Sequence, residues 1–333
     1  MVDNELLFLY SENSRAKIRD LAAMLKKSPQ RLKYSLKSFE KEKVVSKPHC
    51  VFDYSFFGLI LFRVYFKGGY ISDNDKAEII QKLNDNPYIV SIYELTGGFD
   101  LVIEIAAPNP SRFNKELKKV AGLIPTLSHY KIILNVVTHL YPRAYLIKEQ
   151  SEINPLALIE KDTVIGGDRI PDILDKNETK IIKQLLINPK LRLTTLAKQS
   201  GINVKTANQS LKDLKKRKIV RGFKYVINTE KLNINSFRLF LNLHNLSKER
   251  ENEFNNYLLQ KKEIVQMNKT VGDWDMELDI ESFDKYRIRQ VIIDIRNNFK
   301  DLIENFNIIE FYCYHKKTYL PMFLFEQEKE TSE

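Results

Sequence analysis

Cysteine is nearly missing from this 333-residue sequence: Cys50 and Cys313 are its only two, far apart and without metal-ligand spacing. That excludes a disulfide framework and fits a reducing cytoplasm. Histidine is almost as scarce, with His49, His129, His139, His244 and His315 making up the whole complement. No nucleophile elbow and no phosphate-binding glycine loop is present. With no convergent reactive constellation, the sequence predicts no catalytic residues, no metal site and no cofactor. Long apolar runs are lacking too. The longest, Phe56 to Phe66, is interrupted by Arg63 and is too short to cross a bilayer. The opening MVDNELLF has neither the basic segment nor the apolar core of a signal peptide. A soluble cytoplasmic chain without a membrane partner is expected.

Acidic residues are outnumbered. Lys and Arg total 53 against 43 Asp and Glu, a net charge of +10 at pH 7. Such a balance favours a polyanionic partner, nucleic acid before a membrane surface. Lysine is abundant throughout, which a merely lysine-rich composition would also give, but two basic stretches stand out, KSPQRLKYSLKSFEKEKVV from Lys27 and GINVKTANQSLKDLKKRKIV from Gly201. Each reads as a tight turn and a capped helix. In the first, Ser28 is the cap, Pro29 suits the first helical position, and Leu32, Leu36 and Phe39 fall on one face. In the second, Asn203 caps, and Ala207, Leu211 and Leu214 form the stripe.

The opposite faces are polar and basic, as the second helix of a helix-turn-helix must be if it enters a major groove. Its early residues would reach base edges, where Arg and Lys meet guanine acceptors and Asn or Gln pairs with adenine. The candidates for contact with double-stranded DNA are Gln30, Arg31, Lys33, Tyr34 and Lys37 in the first helix, and Lys205, Thr206, Asn208, Gln209 and Lys212 in the second. Lys215, Lys216, Arg217 and Lys218 lie later and are expected on phosphates.

Taken in order, the chain predicts helices over 4–10 and 16–25, the second capped by Ser14, and a third from Pro29 to Val44-Val45. Lys47-Pro48 breaks the pattern. Strands and helices then alternate as strand-helix-strand-strand-helix-strand, a ferredoxin-like unit, with Gly97-Gly98 turning its hairpin. After an irregular stretch with one short strand, everything repeats. Asp275 minus Asp100 is 175, and that shift also carries Leu21-Ala22 onto Leu196-Ala197, Leu36-Lys37 onto Leu211-Lys212 and Gly97 onto Gly272. In the second copy the ferredoxin-like helices start at Ser247 and Ser282. The fold class is therefore α+β: two tandem units, each a helix-turn-helix (winged-helix-like) domain followed by a ferredoxin-like βαββαβ domain. The expected boundaries are 1–48, 49–148, a linker at 149–173, 174–222, 223–320 and a tail at 321–333.

These repeated segments carry a resemblance. Leu174-Asp175 with Glu178, Ile181-Ile182 and Leu185, the run Leu193 to Val220, and VGDWD from Val271 to Asp275 together resemble the Lrp/AsnC (feast/famine) transcription regulators. The resemblance covers both units. It implies regulation through DNA, self-association through the ferredoxin-like sheets, and an amino-acid-like effector. For that effector it points to Thr96, Gly97, Gly98 and Asp100, and to Val271, Gly272, Asp273 and Asp275. The residues alone leave a second reading of these loops, a plain hairpin turn in which Gly supplies positive φ and Asp bonds local amides. The first copy departs more from the family, with Lys26 where Gly201 stands and Gly98 where Asp273 stands.

Two other classes compete. The architecture also resembles that of sirohaem decarboxylases, but under the shift of 175 no histidine falls on another, so an enzyme is not expected. A DNA-free assembly protein is the third.

Overall fold

The computed structural model describes residues 2–68, 72–123, 129–147, 159, 161–244 and 247–326. The predicted linker residues 149–158 and tail residues 327–333 lie outside the described residues. In chain order, α1 (Asn4–Glu12), α2 (Ile18–Leu25) and α3 (Pro29–Lys41) lead into β1 (Val45–Phe52). Next come β2 (Ile60–Lys67), α4 (Asp73–Asp85), β3 (Ile89–Thr96), β4 (Leu101–Ala107), α5 (Pro110–Leu123), β5 (His129–Leu140) and the short β6 (Thr163–Gly166). The second copy has α6 (Lys176–Ile187), α7 (Leu193–Gln199), α8 (Val204–Lys216) and β7 (Val220–Ile227). It ends with β8 (Asn235–Leu243), α9 (Lys248–Leu259), β9 (Ile264–Val271), β10 (Met276–Ser282), α10 (Lys285–Asn298) and β11 (Ile303–Lys317). Both copies thus hold the three helices and the βαββαβ unit that the sequence predicts, with one further strand, β1 or β7, between them.

The chain does not compact as a first half and a second half. One compact unit consists of residues 1–46, 136–164 and 224–313, the other of 47–135, 165–223 and 314–333.

In the first unit, Leu6, Leu7 and Phe8 of α1 and Leu32, Leu36 and Phe39 of α3 share a buried core with Leu146, Tyr225, Ile227, Leu232 and Ile234. The first helix-turn-helix is therefore completed by residues about two hundred positions downstream. The same unit holds the second ferredoxin-like sheet. Arg238 faces Asp279 across β8 and β10, and β11 flanks β8 with Ile308 opposite Leu239. Leu239, Leu241, Met276, Leu278 and Ile280 bury one face against Phe254, Leu258, Val291 and Ile295 of α9 and α10.

The second unit mirrors this. Phe62, Val64, Phe66, Ile103 and Ile105 bury one face of the sheet against Leu83, Phe113, Leu117 and Val120. Strands β3, β4, β2 and the start of β5 lie side by side, with Arg63 opposite Glu104. Alternation along β2 sends Leu61, Arg63 and Tyr65 to the other face, and these too are buried. The second helix-turn-helix, with Ile181, Ile182, Leu185, Leu196, Ala207 and Leu214 buried, belongs here.

The repeat extends to individual hydrogen bonds. The Asp100 amide donates to the Phe66 carbonyl at 2.9 Å and the Asp275 amide to that of Leu241 at 2.9 Å. At the end of the second helix, Lys27 N–H bonds the Ala22 carbonyl at 3.1 Å and Ile202 N–H that of Ala197 at 3.0 Å. This closing turn needs a left-handed residue. The second copy uses Gly201, φ +65°, and the first uses Lys26, φ 51°. A side chain in that conformation is strained by roughly 1–2 kcal/mol, partly offset in glycine by its greater freedom when unfolded. Lys26→Gly should stabilise the chain by about 0.5–1 kcal/mol. Gly201→Ala, with open space for its Cβ, should destabilise it by about 1 kcal/mol. Calorimetric melting of both variants checks this, and unchanged transitions would count against it.

Several expectations need correction. Helix α3 stops at Lys41, and not at Val44-Val45, because Lys43 turns left-handed at φ 55°. Its counterpart Lys218 does the same at φ 62°. Lys47-Pro48 does not end regular structure but lies inside strand β1, and β7 was likewise unexpected. Pro48 is tolerated because β1 lies in a ladder of only two strands, where a missing amide donor leaves no second neighbour unpaired. Lys17, and not Ser14, precedes α2 as its cap residue. Asp284 caps α10 through the Tyr286 amide, whereas Ser282 ends β10.

Candidate nucleic-acid interface

Each candidate reading head is fixed from its first turn. Ser28 Oγ accepts from the Arg31 amide at 3.3 Å, and Asn203 Oδ1 from the Thr206 amide at 2.8 Å. Such caps contribute about 1 kcal/mol each. With Leu32, Leu36 and Phe39 inward, Gln30, Arg31, Lys33, Tyr34 and Lys37 lie on the outer side, Tyr34 exposed to 72%. In α8, Ala207, Ser210 and Leu214 are buried. Lys205, Gln209 and Lys212 lie toward solvent, while Thr206 and Asn208 are half-buried. The structure therefore keeps each predicted set together on one polar face of one helix.

One residue leaves the expected phosphate contacts. Arg217 is ion-paired to Glu178 at the start of α6 and to Asp172 at 3.0 Å. It ties the last turn of α8 to α6. Burial works against its charge, but the two carboxylates outweigh that and raise its already high pKa. Lys215 lies 5.3 Å over the Phe223 ring. Lys216 and Lys218 remain on the outer side.

The first head stands on a buried charged cluster. Glu12 at the end of α1 pairs with Lys224 and accepts from the Arg143 amide at 3.3 Å. The Arg143 guanidinium also donates to Glu281 of β10 at 2.9 Å, and Tyr145 Oη donates to the same carboxylate at 2.6 Å. Burial opposes ionisation of Glu12, but the charges of Lys224 and Arg143 outweigh it and hold its carboxyl below the ordinary 4.5. A carboxyl with a depressed pKa stabilises the fold fully above its unfolded value, and that stabilisation fades as pH falls through the folded value. Glu12→Gln should therefore lower the urea midpoint at pH 7, and its deficit against the parent chain should shrink below about pH 4.5. A deficit independent of pH would refute this.

The two hairpin loops are built alike. Gly97 and Gly272 hold φ 123° and 152°. Asp100 Oδ2 accepts from the Gly68 amide at 2.9 Å, and Asp275 Oδ2 from the Leu243 amide at 2.7 Å. Thr96, Gly97, Val271, Gly272 and Asp273 are exposed, and Gly98 is half-buried.

Behind the second loop lies a polar network that the sequence reading missed. Buried Trp274 donates its indole N–H to Glu277 at 2.9 Å, and Asn268 donates to the same carboxylate at 3.0 Å. Arg238, 1% exposed, binds Asp279 through two nitrogens at 2.6 and 2.8 Å. In the other unit Arg63 bonds Glu104 at 2.7 Å. The signal was available, since the shift of 175 carries Arg63 onto Arg238 and Glu104 onto Asp279.

No family model matches the chain. It is similar to the HTH-type transcriptional regulator FL11 of Pyrococcus furiosus, 27% identical over 138 residues, which are 41% of this chain and 85% of that protein. An uncharacterized HTH-type transcriptional regulator of Pyrococcus horikoshii is 28% identical over 123 residues, 37% of this chain and 78% of its own length. About two fifths of this chain thus accounts for most of a relative, the length of one helix-turn-helix with one ferredoxin-like domain. This chain is similar to HTH-type transcriptional regulators.

Among solved structures, the siroheme decarboxylase NirDL aligns with 96% of this chain and 93% of its own, at a TM-score of 0.55 and 14% identity. That likeness is one of fold. It nevertheless corrects the expectation that the chain is not an enzyme, because an enzyme carries the same architecture along nearly its whole length. Among the described residues, no helix is long and apolar enough to cross a membrane.

Proposed function

We propose that this chain is a sequence-specific DNA-binding transcription regulator with two non-equivalent heads, at 1–48 and 174–222, carried by ferredoxin-like domains at 49–148 and 223–320. The observation that carries the reading is the pair of capped helices with exposed polar faces that differ at matched positions. Gln30 corresponds to Lys205, Arg31 to Thr206, Lys33 to Asn208 and Tyr34 to Gln209. Identical heads read a palindrome; these would read two different half-sites, about 10 bp apart if the heads take successive major grooves. Selection from random duplex DNA tests this. An asymmetric site bound in a salt-sensitive way is expected. Perfect palindromes would overturn the pairing of unlike heads, and no salt-sensitive binding at low ionic strength would overturn the regulator. In this reading Asp100 and Asp275 hold their turns, and an amino-acid-like effector would meet the exposed residues Val271, Gly272 and Asp273.

The fold shared with the siroheme decarboxylase supports a second reading, a tetrapyrrole enzyme. A tetrapyrrole absorption band that appears on titrating the purified chain would favour it.

A further inference from the structure

The two heads differ in more than residue type. In α8 the Gln209 side chain is held: its Nε2 lies 3.0 and 3.1 Å from the two carboxylate oxygens of Asp213, one turn further on. A carboxylate only accepts, so the amide must present its nitrogen to Asp213 and turn its oxygen away. The flipped amide would set oxygen against oxygen. In α3 the matched residues are Tyr34 and Ser38, and Ser38 is turned to Glu42. The first head has no such arrangement.

Resting on the regulator reading, we propose that Asp213 is a positioning residue that makes Gln209 a reader of adenine. The outward Oε1 accepts from an adenine N6 amino hydrogen, while the second N–H of Nε2 remains to donate to N7. Guanine offers two acceptors on that edge and demands two donors. A glutamine fixed with its oxygen outward cannot supply them, whereas an unconstrained one can rotate. Asp213 would otherwise be an odd choice on this helix. Its carboxylate stands in sequence among Lys212, Lys216 and Arg217, on an element expected to approach phosphates. Fixing the amide gives it a reason to be there.

The experiment measures binding of the full chain to duplexes that vary each base of the half-site read by α8. For the parent, adenine should win over guanine at one position by about tenfold or more. Asp213→Ala should bring the two bases within about threefold while leaving the preferences elsewhere, and Asp213→Glu should restore part of the discrimination. Gln209→Ala should abolish the preference at the same position, and adding Asp213→Ala to it should change nothing further. A general weakening over all sequences, as a merely structural role predicts, would overturn the proposal. So would an Asp213→Ala variant with unaltered base preference. If the parent shows no salt-sensitive duplex binding at all, the regulator reading itself fails; if it binds and Gln209→Ala leaves every preference unchanged, only the positioning role of Asp213 fails.

Discussion

Replacing Arg238 by Leu should cost about 3–5 kcal/mol, the usual loss when one member of a buried ion pair is removed. The guanidinium is 1% exposed and touches two carboxylates, Asp279 in a double hydrogen bond and Glu277 at 3.7 Å. Without it both acids stay buried beside each other. Glu277 keeps two neutral donors, Trp274 and Asn268, so Asp279 would carry most of the uncompensated charge. A double replacement separates this from simple loss of packing. Arg238→Met with Asp279→Leu removes the pair as a whole, and exchange of a whole buried pair for apolar residues is often neutral. The double variant should recover most of the stability, leaving the portion due to Glu277. Urea unfolding of the three chains measures both numbers. A loss below about 1 kcal/mol for Arg238→Leu would show that the pair is not buried as described.

The second large effect concerns DNA. Changing Lys205, Lys212 and Lys216 together to Gln should weaken duplex binding on the order of a hundredfold at low salt, with each charged group contributing about 1 kcal/mol. The slope of log affinity against log salt should fall by about one for each of these lysines that neutralises a phosphate, Lys216 at the least. Arg217→Gln supplies the contrast. Because that guanidinium is engaged by Glu178 and Asp172, it should lower the melting temperature of the chain and leave the salt slope nearly intact. If the triple variant binds with an unchanged slope, α8 does not face phosphates and the second head is not a DNA reader.

Much of the fold was legible because its signals are local. Ser28, Pro29 and Asn203 announce their helices by residue type, and the apolar stripes behind them recur every three or four positions. The duplication amplifies weak signals, since a chance pattern does not recur at a constant shift. What escaped reading is non-local or conformational. Nothing in their residue type reveals that Lys43 and Lys218 turn left-handed, so the strands that follow were absorbed into the helices or missed. Pro48 counted against a strand, although a two-stranded ladder can carry it. Arg63 read as an interruption of an apolar run because its partner Glu104 is 41 residues away. The Glu12 cluster draws on Arg143 and Lys224, and Glu12 itself maps to Ile187, so even the repeat could not reveal it.

Each compact unit takes residues from both copies: 1–46 joins 224–313, and 47–135 joins 165–223. Neither copy made separately would hold a complete set of residues for either unit. Two fragments divided between residues 148 and 160 should therefore fail as individuals and regain structure when mixed, as complementing parts do. For the organism, the consequence is one of dosage. Two separately encoded copies would have to be matched in number to complete each other, and a single continuous chain guarantees that match at every round of synthesis.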